Sequence, residues 1–251
     1  MRWRTVAVAV VGTAHVERGE ACQDECWSSG ADADRLFLSI FVADGAGSAS
    51  HGGTGARLAI EAALAHLDAR VDGAEPASER AARGCFSAAR ARLTDEAATL
   101  GVAVRELACT FLGVLSTPEA SVVFQIGDGA IAVDVGEGLS MPIAPMNGAY
   151  INTTRFLVDE DASEALEVVA FERPVLRAAA VSDGLQGIAT QMADHTPHEP
   201  FFAPFFRALA SDDAEGRDDE LHAAFAAFLG GERVNEKTDD DKSLAVAVAV
   251  A

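Results

Sequence analysis

The chain has 251 residues, 49% of them apolar and 6% aromatic, and a formal net charge of −20. Such a composition excludes disorder, and the length suits one large domain or two small ones with a real core. The charge excludes nucleic acid and anionic membrane surfaces as partners, because a phosphate backbone needs a basic footprint.

The N-terminal "MRWRTVAVAVVGTAH" joins two Arg to a short apolar stretch, as a signal peptide does. Its "TVAVAVV" alternates β-branched and small residues, however, and reads as a strand over 5–11. Residues 36–43, in "RLFLSIFVAD", are nearly continuous in apolar character and predict a central strand buried on both faces. Ser50 or Thr54 caps a helix running to about Val71, with Leu58, Leu64 and Leu67 on its apolar face. Pro76 opens a second helix that ends near Gly101.

"ELACTFLGVLS", "SVVFQIGDG" and "AIAVDVGEG" are strands joined by turns bearing Pro or Gly, which predicts an antiparallel meander. Residues 140–160 read as irregular, and "EALEVVAFE" and "VLRAAAVSD" return to strand. Leu185 to Leu229 is helical, broken by "TPHEPFFAP" and "SDDAEGRDDE", with "FFAPFF" as a core contact. "LAVAVAVA" closes the chain as a strand. No run reaches the ~18 apolar residues of a membrane span. Runs of strands alternate with runs of helices, and no linker or repeat divides them. The expectation is a single α+β domain over 1–251, with stacked sheets and helices outside.

Four cysteines stand at 22, 26, 85 and 109. Cys22 and Cys26, with His15 near, admit a zinc reading, but the second ligand pair of a structural site is missing. Thiols in a reducing cytosol are the expectation, and with them a cytoplasmic location. Asp44 and Asp183 each end an apolar run and precede Gly, and Asp240 lies in an acidic cluster before the last strand. Each alone is an ordinary turn residue. Together, with the Gly45 carbonyl, they form an all-oxygen set that suits hard divalent cations, and paired cations suit hydrolysis of phosphate esters.

These residues carry a resemblance. Gln23-Asp24, Asp44-Gly45-Ala46-Gly47, Gly127-Asp128, Ser182-Asp183-Gly184 and Asp240-Asp241-Lys242-Ser243 occur in the order and spacing of the metal-dependent protein phosphatase 2C (PP2C) family, over about residues 10 to 250. "GTAHVERGEACQDE" and "NGAYINTTRF" resemble a bacterial subgroup. The resemblance implies an αββα sandwich of two mainly antiparallel sheets and hydrolysis of phosphoserine and phosphothreonine. It implies two Mn²⁺ or Mg²⁺ ions on Asp44, Asp183 and Asp240, with Asp44 bridging and a water between the ions as nucleophile. Asp24 orients that water. The implied partner is a phosphorylated protein, the substrate of a bacterial Ser/Thr kinase.

The pattern also departs from the family. Ala46 stands where many members carry a His that protonates the leaving oxygen, and His51 reads as a loop residue. The family commonly carries a phosphate-binding Arg a few residues before the Gln/Glu-Asp pair; here Arg18 lies five before Gln23 and Gly19 four before, so Arg18 and His15 are both candidates for that contact. A third metal site is open to Asp128, although Gly187 replaces its usual acidic neighbour. Residues 140–160 fall where the family carries a flap. These departures leave a second reading, a PP2C-like binding module without catalysis.

Overall fold

The computed structural model describes residues 1–29, 37–69, 75–144, 154–191, 193–211 and 218–250. Along the chain, β1 (Arg2–Val10), α1 (Thr13–Arg18), β2 (Asp24–Ser28) and β3 (Leu38–Asp44) precede two long helices, α2 (Gly52–Asp68) and α3 (Glu79–Leu100). A 3-10 turn at Val104–Leu107 leads into β4 (Phe111–Ser116), β5 (Ser121–Ile126) and β6 (Ala130–Asp134). Next come α4 (Ala162–Ala165), β7 (Glu167–Phe171), β8 (Arg177–Val181), α5 (Asp183–Ala189) and a small ribbon, β9 (Thr190–Gln191) with β10 (Thr196–Pro197). Helices α6 (Glu199–Ser211), α7 (Asp219–Leu229) and α8 (Glu232–Asn235) and the strand β11 (Lys242–Val250) complete the chain.

Two antiparallel sheets result, with strand orders β1-β11-β8-β6 and β2-β3-β4-β5-β7. The period-2 alternation explains how each sheet buries both faces. In β3, Leu38, Ile40 and Val42 point into the space between the sheets, while Phe41 and Ala43 face α2 and α3. In β11, Ala245 and Ala247 face the other sheet, while Leu244, Val246 and Val248 pack under α5, α6 and α7. Small Ala side chains from one sheet therefore meet Leu, Ile and Val from the other, and helices cover both outer faces. This is the αββα sandwich. The "FFAPFF" run supplies the contact expected of it: Phe201, Phe202, Phe205 and Phe206 are buried and stack with one another and with Phe225.

Several local expectations need correction. The meander stops at β5, because β6 leaves that sheet and pairs with β8 in the other. Gly127, at φ +112°, turns the chain out of the ladder, and the buried Gln125 amide donates to the carbonyls of Gly127 and Gly129 on either side of Asp128. β5 pairs instead with β7. Neither Ser50 nor Thr54 caps α2, whose cap position is His51; the far end expected at Val71 lies outside the described residues. α3 starts after Ser78, whose hydroxyl accepts from the Ala81 N–H. α6 runs through Pro204, so "TPHEPFFAP" breaks the helical region only before Glu199. Residues 145–153 of the expected flap lie outside the described residues.

Register brings the strand ends together. Val10 faces Lys242, Leu244 faces Val181, and Asp24 faces Asp44. The end of β1, the start of α1, the starts of β2 and β11 and the ends of β3 and β8 therefore meet at one edge of the sandwich.

Candidate functional site

At that edge lies a cavity of about 450 Å³, lined by Asp44, Asp128, Asp183, Asp239 and Asp240 and by His15 and Arg18 of α1. Gly45, Thr110, Thr154 and Phe156 complete its principal walls. The candidate residues drawn from five separated segments thus share one cavity, except Asp24, which is buried opposite Asp44 in the β2–β3 ladder.

Backbone bonds fix Asp44. Its N–H donates to the Thr110 hydroxyl (3.0 Å), and its carbonyl accepts from the Thr110 N–H (2.9 Å). The Gly45 N–H donates to the Gln23 carbonyl (3.1 Å). Asp24 accepts from the Ser182 hydroxyl (2.6 Å), and Ser182 in turn accepts from the Ser243 N–H (3.0 Å). One buried serine thereby ties β2, β8 and β11 together beside the cavity. Asp128 accepts from the Thr154 hydroxyl through its side chain, and from the Gln186 amide (2.6 Å) through its carbonyl.

The electrostatics show strain that a cation relieves. Burial, then the charges of Asp24 and Asp183, pushes Asp44 well above the usual carboxylate range. Burial lifts Asp24 to about 7, against the Ser182 and Ser243 hydroxyls that favour its ionised form. Burial and then Asp128 lift Asp183 to about 6. Among the described residues, no three His, Cys, Asp or Glu side chains converge into a ready metal cage. That sparse, all-oxygen arrangement fits Mg²⁺ or Mn²⁺ better than zinc, since such ions take few carboxylates and keep several waters. Burial, followed by neighbouring carboxylates, raises the Cys22 and Cys26 thiols and disfavours the thiolates that zinc requires.

One residue on this edge carries a role that the acidic run did not reveal. Asp241 is buried, accepting from the N–H groups of Gly12 (2.6 Å) and Gln23 (2.6 Å), and lies 2.8 Å from His15 Nδ1. Burial opposes its charge, but the Gln23 and Gly12 N–H groups and His15 more than offset this and hold it below the ordinary value. Arg18 is half-exposed and bonds Glu20 (2.7 Å), and His15 Nε2 lies 3.6 Å from the same carboxylate.

A model of the protein phosphatase 2C family matches residues 11–228. Serine/threonine-protein phosphatase 3 of Escherichia coli (strain K12) is 44% identical over 251 residues, covering 99% of both chains. Among solved structures, the serine/threonine phosphatase Stp1 of Staphylococcus aureus aligns over 100% of this chain and 96% of its own, at 12% identity and a TM-score of 0.67. The catalytic domain of the phosphatase PstP, in complex with two manganese ions, aligns over 100% and 99% at 16% identity and a TM-score of 0.63.

Proposed function

Because the chain belongs to the protein phosphatase 2C family and is a serine/threonine protein phosphatase, we propose that it cleaves phosphoserine and phosphothreonine at the acidic edge of the sandwich, using Asp44, Asp183, Asp240 and the Gly45 carbonyl to hold Mn²⁺ or Mg²⁺. The observation that carries this reading is the shared cavity of Asp44, Asp128, Asp183 and Asp240, in which burial and neighbouring carboxylates raise Asp44 and Asp183. When bound, paired ions supply an activated water and neutralise the charge that builds up in an in-line displacement. The manganese-bound relative supports the type of ion.

The chain's own residues then divide the work. Asp44 stands between the Asp24 and Asp183 sides, the place for a shared ligand. Asp24, its ladder partner, is held by Ser182 and would orient the water that bound ions supply. Arg18 and His15, which line the same cavity from α1, receive the phosphate, whose oxygens suit guanidinium geometry. Asp128 offers a third, weaker cation position. Phosphoprotein substrates, a bacterial Ser/Thr kinase upstream and a cytoplasmic setting belong to the same proposal. Four free thiols support the setting, and no described helix is long and apolar enough to cross a membrane. We further read residues 1–251 as one catalytic domain, supported by the pairing of β1 with β11 from opposite ends of the chain.

Purified protein is assayed with Mn²⁺ on a phosphothreonine peptide. The expected result is phosphate release that a chelator abolishes; no release with Mn²⁺ or Mg²⁺ present refutes the proposal. Full-length similarity to a named phosphatase leaves the non-catalytic module without an observation in its favour.

A further inference from the structure

We propose that Asp241 is a positioning residue that sets the distance between the phosphate-receiving wall and the carboxylate wall of the cavity, without itself binding metal. The inference rests on the phosphatase reading above and adds a residue to it.

Two other chain segments, the start of α1 and the entry to β2, converge on this one carboxylate. Oδ1 accepts from the Gly12 N–H, at the entry to α1, and lies 2.8 Å from His15 Nδ1 on that helix. Oδ2 accepts from the N–H of Gln23, the residue before Asp24. Its own backbone N–H donates to Asp240 Oδ1 (2.8 Å). Each carboxylate oxygen accepts from a backbone N–H, of Gly12 or Gln23, that does not line the cavity, and Asp241 is absent from the lining while its neighbours Asp239 and Asp240 form part of it. Charge-assisted bonds of this kind are short and directional, so they fix geometry as well as adding stability.

Two close backbone approaches hold the same point. A Cβ on Gly12 would lie 2.3 Å from the Asp240 carbonyl carbon, and one on Gly184 would lie 2.0 Å from the Asp241 carbonyl oxygen. The backbone at 240–241 is therefore clasped between the entry to α1 and the turn after Asp183. α1 is only six residues long, too short to hold its own place in the fold. Besides Asp241, its first turn is joined to this strand by the Ala14 N–H to Asp239 carbonyl bond. Losing the carboxylate frees α1 to shift, and a 1 Å displacement of positioning groups is costly in a phosphate site. The effect falls on substrate binding, because the wall that moves carries His15 and Arg18.

The test uses full-length Asp241→Asn and Asp241→Ala, checked for folding by circular dichroism. It measures peptide KM, kcat, inhibition by inorganic phosphate, Mn²⁺ affinity by calorimetry and the ¹⁵N resonances of the His15 ring. Asp241→Asn keeps one acceptor oxygen and is the variant to rely on if the alanine variant does not fold. The proposal expects at least a 10-fold rise in KM and in the phosphate inhibition constant for Ala, with a smaller rise for Asn. It expects Mn²⁺ affinity within about 3-fold of the parent and displaced His15 resonances in both. Mn²⁺ affinity falling 10-fold or more with KM unchanged makes Asp241 part of the metal shell and overturns the inference. Parental KM and phosphate inhibition in a folded Asn variant reduce Asp241 to a structural residue and overturn it too. Either result in an active parent leaves the phosphatase reading standing; a parent inactive with Mn²⁺ removes that reading instead.

Discussion

Asp24 and Asp44 face each other directly across the antiparallel β2–β3 ladder. Burial raises the proton affinity of both, and the Asp24 charge raises that of Asp44 further. Two carboxylates placed opposite one another destabilise a sheet unless something positive joins them. The fold therefore holds a repulsive pair at the edge where the cavity opens, a cost accepted for function.

Asp44→Asn separates function from stability. Activity on a phosphothreonine peptide is expected to fall at least about 1000-fold, because the shared ligand is lost. The metal-free protein is expected to become more stable, since one member of the repelling pair is now neutral. A gain of about 1 kcal/mol corresponds to roughly 2–4 °C in a chain of this size. Thermal melts of both proteins in chelator check it; a lower melting temperature for the variant contradicts the repulsion argument.

The pH dependence of the metal-free protein follows from the same carboxyls. Asp24 and Asp183 have folded values of about 7 and about 6 against an ordinary 3.8. Such groups bind protons more tightly in the folded state, so their contribution to stability is complete below about 4 and is lost as pH rises through about 6 and about 7. Asp241 and Asp134 have lowered values and act in the opposite sense, but their contribution is already present by about pH 5. Between pH 5 and 7.5, then, melts in chelator are expected to show falling stability, and saturating Mn²⁺ is expected to reverse the slope. Stability that rises with pH in chelator contradicts the assignment.

Ser182→Ala removes the hydroxyl that joins Asp24 to the Ser243 N–H. Both groups then lie buried without that partner, which costs about 1–3 kcal/mol. Urea unfolding measures this, and kcat is expected to fall with KM little changed, since the loss is behind Asp44 and not on the phosphate wall.

Two glycines of α5 predict opposite results. Gly184→Ala drives a methyl group against the Asp241 carbonyl oxygen and is expected to cost 3 kcal/mol or more, as overpacking against backbone does. Gly187→Ala meets nothing within 4 Å on the exposed side of the same helix and is expected to gain up to about 1 kcal/mol. Paired denaturation curves decide this; equal effects of the two contradict the close packing.

Much of this was legible in the sequence, and the omissions have physical causes. The Val-Ala alternation of β1 and β11 marks strands, because period 2 is visible in a single segment. Asp44, Asp128 and Asp183 are legible because each follows an apolar run beside Gly, and Asp240 because its acidic cluster directly precedes the last one. The crossing of β6 was not legible: strand pairing depends on partners far along the chain, and "GDG" serves a hairpin and a crossover equally. The helix "TAHVER" is too short to show periodicity. Asp241 looked like one more acid in "TDDDKS", and its donors lie 229 and 218 residues away.

The most direct measurement is a crystal structure of the protein soaked with Mn²⁺, with the metal located by anomalous scattering. Two manganese peaks are predicted in the cavity, about 3.5–4 Å apart, with Asp44 shared and Asp183, Asp240 and the Gly45 carbonyl as ligands. Manganese bound elsewhere, or an ordered cavity with no peak at saturating Mn²⁺, contradicts the account.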